Sequence, residues 1–302
     1  MVSYFNELCV SQSFLKGVLK NSFKKEDSTS LQRGTLVDHF LFGGKEIPSY
    51  DGKINKYCEI AMICENLEHS TILNKVREEQ YNPSYKDETH LANIAKIQDF
   101  LDYFKDNKGK VYTTQEIELS KRQAEFIRES PHYQFLLAEE DLFQVPLYGE
   151  LMDIRLKGLV DWLSFDHTKK TIKLIDLKTS HYSKPDMFAL SCKEYRYDFQ
   201  MAFYKELIQQ NYPDYEVTCY WLVYNFKKVF LWRVSDLDLE IGKHGITKIF
   251  AEYEGSDLKS KFFIHGWKTA LDIYKKSLDN GYPDYDVSYY ESKGFYNDSI
   301  YA

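Results

Sequence analysis

The feature that most constrains the fold is a pair of strand-like segments within residues 158–180, which read GLVDWLSFDHTKKTIKLIDLKTS. Apolar and polar residues alternate in both segments, and DHTKK between them is typical of a turn. We therefore predict two neighbouring strands joined by a short turn. Asp161 belongs to the first strand, while Asp176 and Lys178 stand two residues apart in the second.

These three residues have the chemistry of a metal-dependent hydrolytic site. Side chains at positions i and i+2 of a strand share a face, so Asp176 and Lys178 should point together, and an antiparallel neighbour can add Asp161. Two carboxylates and the backbone carbonyl of Leu177 offer the oxygen ligands that Mg²⁺ or Mn²⁺ prefers. A metal there would polarise a phosphoryl group and lower the pKa of bound water. Lys178 would orient that water and stabilise the transition state.

The same pattern also has a plainer interpretation. An Asp-x-Lys pair is common on solvent-exposed sheet faces, where its charges have no catalytic role. However, Asp176 directly follows the apolar run at residues 172–175, which is interrupted only by Lys173. This favours a central strand, in which a buried carboxylate needs a partner.

A helix is predicted downstream of the strand pair. YRYDFQMAFYKELIQQ has helical periodicity and is followed by Pro213, which ends the helix. Gln200 and Tyr204 are four residues apart on it and therefore share a face. They are candidates for hydrogen bonds to a phosphate, to a metal-bound water or to Lys178. Spacing alone favours a core tyrosine and a surface glutamine.

Helical patterns dominate the amino-terminal part of the chain, and strand-like patterns begin near residue 142. The helical segments are SQSFLKGVLKNSF, LQRGTLVDHFLFGG, HLANIAKIQDFLDYFK and TTQEIELSKRQAEFIRESPHYQFLL. Later, VTCYWLVYNF and VFLWRVS are predicted as strands and LEIGKHGITKIFAEYE as a closing helix. Together they indicate an α/β (α+β) fold, with a mixed central sheet flanked by helices and a helical amino-terminal layer.

We predict one domain over residues 1–302. It would comprise a mainly helical part at 1–140, a catalytic core at 141–255, and a carboxy-terminal helix and tail at 256–302.

Composition narrows the class of protein further. Of 302 residues, 43% are hydrophobic, yet no apolar run approaches the roughly 18 residues of a membrane span, so we expect a cytoplasmic protein without membrane contact. The net charge of −7 argues against indiscriminate coating of nucleic acid but is compatible with carboxylates that hold metal ions. The five scattered cysteines favour free thiols over zinc or iron–sulfur ligation.

In order along the chain, GLVD, IDLKTS and YRYDFQMAFY closely resemble the motifs of the RecB-like branch of the PD-(D/E)XK nucleases. The nearest likeness is to the exodeoxyribonuclease VIII (RecE) family, which also resembles phage lambda-type exonucleases. The resemblance covers residues 157–204. It implies a restriction-endonuclease-like core in which Asp161 and Asp176 bind the metal and Lys178 is the catalytic lysine.

The resemblance also assigns roles outside the strand pair. It implies that Gln200 and Tyr204 form a Gln-x-x-x-Tyr motif that supports the site and contacts nucleic acid. VSQSFLKGVLKN resembles the family's opening helix, and RGTLVDHFLF resembles its Gly-x-x-x-His segment. Four residues after Gly34, however, stands Asp38, and His39 comes one place later. We predict Asp38 as an additional metal ligand, with His39 as the alternative; the plainer interpretation is a surface aspartate beside a packed histidine.

The resemblance implies an activity and partners. It implies a Mg²⁺-dependent exonuclease that resects linear double-stranded DNA from 5′ to 3′, in recombination or phage DNA metabolism. Two alternatives are an endonuclease of the same fold in defence or restriction, and a DNA-binding module without catalysis. Related enzymes close a ring of subunits around DNA, so a homo-oligomer, a trimer or tetramer, is expected. A single-strand annealing protein would be the functional partner.

Overall fold

The fold is known from a computed structural model, which describes residues 9–20, 29–107, 109–180, 184–225, 227–249 and 261–279. The helices are α1 (Gln12–Lys20), α2 (Thr29–Leu41), α3 (Lys56–Met62), α4 (His69–Glu78), α5 (Asp87–Ala95), α6 (Gln98–Asp106), α7 (Thr114–Arg128), α8 (Pro131–Leu136), α9 (Pro185–Tyr195), α10 (Tyr197–Asn211), α11 (Asp236–His244) and α12 (Trp267–Asp279). The strands are β1 (Val10–Ser11), β2 (Glu140–Leu151), β3 (Ile154–Asp166), β4 (Thr171–Thr179), β5 (Glu216–Tyr224), β6 (Val229–Arg233), β7 (Gly245–Ile249) and β8 (Lys261–His265).

The chain divides into two compact units. The first contains Met1–Gly34 and Glu125–Ala302, and the second contains Thr35–Ala124. The prediction of one domain means that the two units fold together, and it stays a prediction.

A mixed sheet organises the first unit. Among the described residues its strands follow the order β1-β3-β4-β5-β6, and β2 also pairs with β3. β4 and β5 are parallel, as are β1 and β3, whereas β2 with β3, β3 with β4, and β5 with β6 are antiparallel. The predicted α/β fold with a mixed central sheet flanked by helices is confirmed.

The sheet forks where β3 leaves β4. The two strands pair from their connecting turn as far as Trp162 and Ile175. The other end of β3 pairs instead with the short strand β1. Asp161 and Asp176 come directly after the last pair, so both lie in the opening between the diverging strands.

Helix α10 packs on the sheet at β2, β3 and β5. Gly158 in β3 permits the close approach, because a Cβ there would lie 2.9 Å from Leu207 Cδ1 and 3.0 Å from the ring of Tyr204. The core of this unit contains large, fully buried aromatic side chains: Trp162, Phe188, Phe199, Phe203 and Trp267.

The second unit is helical and has a hydrophobic core of its own. The buried side chains of this core come from α3, α4, α5 and α6, and from Ile97 between α5 and α6. Its largest members are Tyr57, Phe100 and Phe104. This unit corresponds to most of the helical amino-terminal layer expected from the sequence.

Most predicted elements are present, but three boundaries differ. The segment HLANIAKIQDFLDYFK forms two helices, α5 and α6, and Pro131 begins the separate helix α8 after α7. The closing helix is wrong in its second half, because α11 ends at His244 and β7 begins at Gly245. Gly245 has a φ of +81°, which breaks the helix, and the β-branched residues that follow favour the strand that pairs with β8.

Some predictions concern residues that the structure does not describe. The end of the predicted closing helix, from residue 250, and the carboxy-terminal tail, from residue 280, lie outside the described residues. Among the described residues, no helix has both the length and the apolar character needed to cross a membrane.

Candidate active site

The fork in the sheet brings two carboxylates and a lysine together. Asp176 is 1% exposed, although it carries an ionisable side chain. Its Oδ2 forms an ion pair with Nζ of Lys178, two residues along the same face of β4. The expectation that these two side chains point together is met by this geometry.

Asp161 faces the same opening from β3. Its Oδ2 accepts a hydrogen bond of 3.0 Å from the backbone N–H of Leu177. This contact continues the link between β3 and β4 beyond their last backbone pair, Trp162 and Ile175. The pKa of Asp161 is raised to about 7, first by burial and then by the nearby carboxylate of Asp176, while Lys178 and the hydrogen bonds act in the opposite direction.

Lys178 is held as an ammonium ion. Burial lowers its pKa, but the carboxylates of Asp176 and Asp161 more than offset this, so the pKa is raised above the ordinary value for lysine. The side chain is 13% exposed, and Nζ lies 4.6 Å from the ring centroid of Tyr197. The charged form is therefore favoured, which suits electrostatic stabilisation of a phosphate better than abstraction of a proton.

Helix α10 joins the site through Gln200 and Tyr204. Nζ of Lys178 donates a hydrogen bond of 3.2 Å to Oε1 of Gln200. Nε2 of Gln200 in turn donates a long hydrogen bond of 3.4 Å to the hydroxyl oxygen of Tyr204. Of the contacts expected for this glutamine, the structure contains the one to Lys178. Tyr204 also borders a cavity of about 310 Å³ that is lined by residues 11–13 and 157–159.

The donor set fits a divalent cation. Oδ2 of Asp176 is a buried carboxylate oxygen without a hydrogen-bond donor, and its contact with Lys178 is an ion pair without hydrogen-bond angles. Asp161 and Asp176 repel each other, and a cation between them would relieve that repulsion. Among the described residues no three His, Cys, Asp or Glu side chains form a metal site. The remaining ligands would be the Leu177 carbonyl, water and a phosphate oxygen.

The predicted extra ligand belongs to the second unit. Asp38 and His39 both lie in α2 and are partly buried. Nε2 of His39 donates a hydrogen bond of 2.6 Å to the carbonyl of Lys45, so this nitrogen carries a proton. A Cβ at Gly44 would lie 2.3 Å from the His39 ring, so the ring packs directly on the backbone. Metal binding by Asp38, or by His39, stays a prediction.

One residue of the site, Gln144, has no counterpart in the sequence analysis. Gln144 has a φ of +51°, in the left-handed region, although it lies within β2. The pairing of β2 with β3 skips Gln144 and Asp161, and Nε2 of Gln144 lies 3.4 Å from Oδ1 of Asp161 as a donor. Strained backbone of this kind persists only where surrounding structure imposes it. No local pattern in FQVPLYGEL indicates this role.

A second cation near the site was also missed. Lys16 in α1 contacts the junction between α9 and α10, where Arg196 has a φ of +52°. Arg196 forms a two-pronged ion pair with Asp198, with N–O distances of 2.9 to 3.3 Å. Sequence periodicity indicates that α1 is a helix, but it does not indicate which residues its lysine meets in space.

One buried and one partly buried aspartate lie with a lysine at a fork in a mixed sheet, and this arrangement suits metal-dependent hydrolysis of phosphodiesters. The family model of the PD-(D/E)XK nuclease superfamily matches residues 65–254, more than half of the chain, and the protein belongs to this superfamily. Its members are hydrolytic nucleases that typically use divalent metal ions. The matched range contains Asp161, Asp176, Lys178, Gln200 and Tyr204, whereas Asp38 and His39 lie before it.

Comparison with solved structures yields distant likenesses. One is a protein from Eubacterium rectale provisionally named an exonuclease, with 16% identity, a TM-score of 0.43, and coverage of 78% of this chain and 76% of that one. Another is the protein SSO0001, with 12% identity, a TM-score of 0.26, and coverage of 70% and 79%. Neither likeness reaches the level of a shared fold. No curated protein matches significantly.

Proposed function

We propose that the protein is a Mg²⁺- or Mn²⁺-dependent DNA exonuclease that hydrolyses phosphodiester bonds of linear double-stranded DNA. The observation that supports this most is the pair of neighbouring carboxylates that share one lysine: the buried Asp176 forms an ion pair with Lys178, and Asp161 lies close enough to be repelled by Asp176. One lysine cannot neutralise both carboxylates, so the arrangement costs stability, and a bound divalent cation would supply the missing positive charge.

Each side chain then has a role in the proposed reaction. Asp161 and Asp176 would hold the divalent ion, which supplies Lewis-acid chemistry at the scissile phosphate when bound. Lys178 would place its ammonium against the negative charge that develops on that phosphate. Gln200 holds Lys178 through its Oε1, and Tyr204 stands behind Gln200, so both are positioning residues.

The finer features of the activity rest on the resemblance of the motifs. We propose resection from 5′ to 3′, a role in recombination or phage DNA metabolism, cytoplasmic location, a ring-shaped trimer or tetramer, and cooperation with a single-strand annealing protein. A monomer at micromolar concentration in light scattering would contradict the oligomer.

The decisive experiment uses linear duplex DNA with Mg²⁺ or Mn²⁺. We expect digestion by the wild type and a loss of at least a hundredfold in rate for Lys178→Ala, since a preorganised charge contributes about this much or more. Lys169→Ala is the matched control, because its side chain is 75% exposed and pairs with Asp166 at the β3–β4 turn. Equal digestion by Lys178→Ala would contradict the assigned site.

The substrate form separates the exonuclease from its alternatives. Cleavage of covalently closed plasmid would identify an endonuclease, because this substrate has no ends. Duplexes labelled at the 5′ or the 3′ end report the polarity. If the wild type digests neither substrate and calorimetry detects no Mn²⁺ binding that depends on Asp161 and Asp176, the result favours the alternative of a DNA-binding module without catalysis.

A further inference from the structure

Lys16 places a second ammonium group at the edge of the candidate active site. Its Nζ donates a hydrogen bond of 2.9 Å to the backbone carbonyl of Tyr195, the last residue of α9. The same atom lies 5.7 Å from the ring centroid of Phe199 in the first turn of α10. Lys16 precedes the range matched by the family model, which begins at residue 65.

The charges around Lys16 are unbalanced. Arg196 is paired with Asp198, and Lys178 is paired with Asp176. Among the described residues, no carboxylate lies within 4.0 Å of Nζ of Lys16, which has only the neutral Tyr195 carbonyl as its hydrogen-bond acceptor.

The electrostatic surroundings agree with this geometry. Burial and repulsion from Lys178 and Arg196 lower the pKa of Lys16 to about 7, whereas Asp198 and Asp176 act to raise it. An anion bound at Nζ would offset both the burial and the repulsion.

We propose that Lys16 binds a phosphate group of the DNA strand beside the scissile phosphate that Lys178 faces. This rests on the proposed function. The bound oxygens belong to a phosphodiester within the strand or to a phosphate at its end, and both have the same anionic chemistry. The two lysines come from different elements, α1 and β4, so together they would align the strand across the fork.

The competing interpretation is structural. Lysine side chains stabilise the last carbonyls of helices, and Lys16 meets the final residue of α9 in this way. A cap of this kind affects the stability of the fold. It does not affect how DNA binding depends on salt, so a salt titration separates the two roles.

The experiment measures binding of a short duplex in EDTA at several KCl concentrations. Each phosphate contact adds about 0.9 to the slope of log affinity against log salt. We expect Lys16→Met to weaken binding about tenfold and to reduce this slope by about one, while Lys16→Arg retains both. Lys169→Met is the control, because Lys169 lies in the exposed turn before β4. The first residue of β4, Thr171, is already five residues and roughly 16 Å of strand rise from Asp176.

The end chemistry of the DNA identifies the source of the phosphate. A loss confined to 5′-phosphorylated duplexes indicates a terminal phosphate, and an equal loss on 5′-hydroxyl duplexes indicates an internal phosphodiester. Both results support the proposal. Unchanged affinity and slope in Lys16→Met would overturn it, as would a lower melting temperature with normal binding. A wild type that neither binds nor cleaves DNA would contradict the proposed function instead.

Discussion

The charge of Asp161 would help to bind a metal ion, but without a metal the same charge lowers the stability of the fold. Its folded pKa is about 7, whereas the ordinary value is 3.8, so the folded state holds the proton more tightly than the unfolded chain. The fold should therefore lose stability as pH rises from about 4 through 7, and the loss is complete above pH 7. A bound cation would reverse this loss.

The substitution Asp161→Asn tests that opposition. Asparagine keeps an oxygen for the Leu177 N–H and removes the charge. In EDTA at pH 8 we expect the variant to be more stable than the wild type, by on the order of a few kcal/mol, with the difference vanishing near pH 4. Added Mn²⁺ should raise the melting temperature of the wild type alone. A variant less stable than the wild type at pH 8 would refute this account.

Gln144 is a residue whose backbone and side chain can be tested separately. Glycine adopts its φ of +51° without strain, whereas alanine keeps the strain, and both remove the amide next to Asp161. We expect Gln144→Gly to be about 1 kcal/mol more stable than Gln144→Ala. Both variants should bind Mn²⁺ more weakly than the wild type, to a similar extent, in calorimetry. Wild-type Mn²⁺ affinity in both would exclude a role in positioning Asp161.

At the scale of elements, the start of α10 depends on its contact with α11. A Cβ on Gly242 of α11 would lie 2.2 Å from the carbonyl oxygen of Asp198, so backbone atoms of the two helices touch directly. We expect Gly242→Ala to push the helices apart, with a loss of about 1–3 kcal/mol in urea unfolding and slower cleavage, because α10 carries Gln200. Leu237→Ala, on the same helix and 68% exposed at this position, is the control. Equal stability of the two variants would show that the helices can move apart at Gly242 without an energetic cost.

Elements with local signals were predictable from the sequence, whereas those set by distant contacts were not. The strand pair around Asp161 and Asp176 and the helix with Gln200 follow from alternation and helical periodicity, which are local. The short strand β1 and the fork it creates depend on pairing across more than 140 residues of chain. For the same reason, no local pattern indicates that Lys16 approaches Lys178 or that Gln144 faces Asp161.

For the whole molecule, the two compact units are linked through continuous helices. One boundary falls within α2, between Gly34 and Thr35, and the other falls within α7, between Ala124 and Glu125. If one unit unfolded, α2 and α7 would each lose the part that belongs to that unit, and the other unit would keep only a shortened piece of each helix. We therefore expect a single cooperative transition, as the prediction of one domain requires.

The positions of the tryptophans allow this to be measured. All 4 tryptophans lie in the first unit, so their fluorescence reports on that unit, whereas circular dichroism reports on the helices of both. Phe100→Ala empties a fully buried site in the second unit and should cost about 3–5 kcal/mol. We expect the fluorescence and dichroism transitions in urea to coincide and to shift together, and Phe203→Ala in the first unit to give the same pattern. If Phe100→Ala splits the dichroism transition and leaves the fluorescence transition in place, the units unfold independently, and the prediction of one domain is wrong.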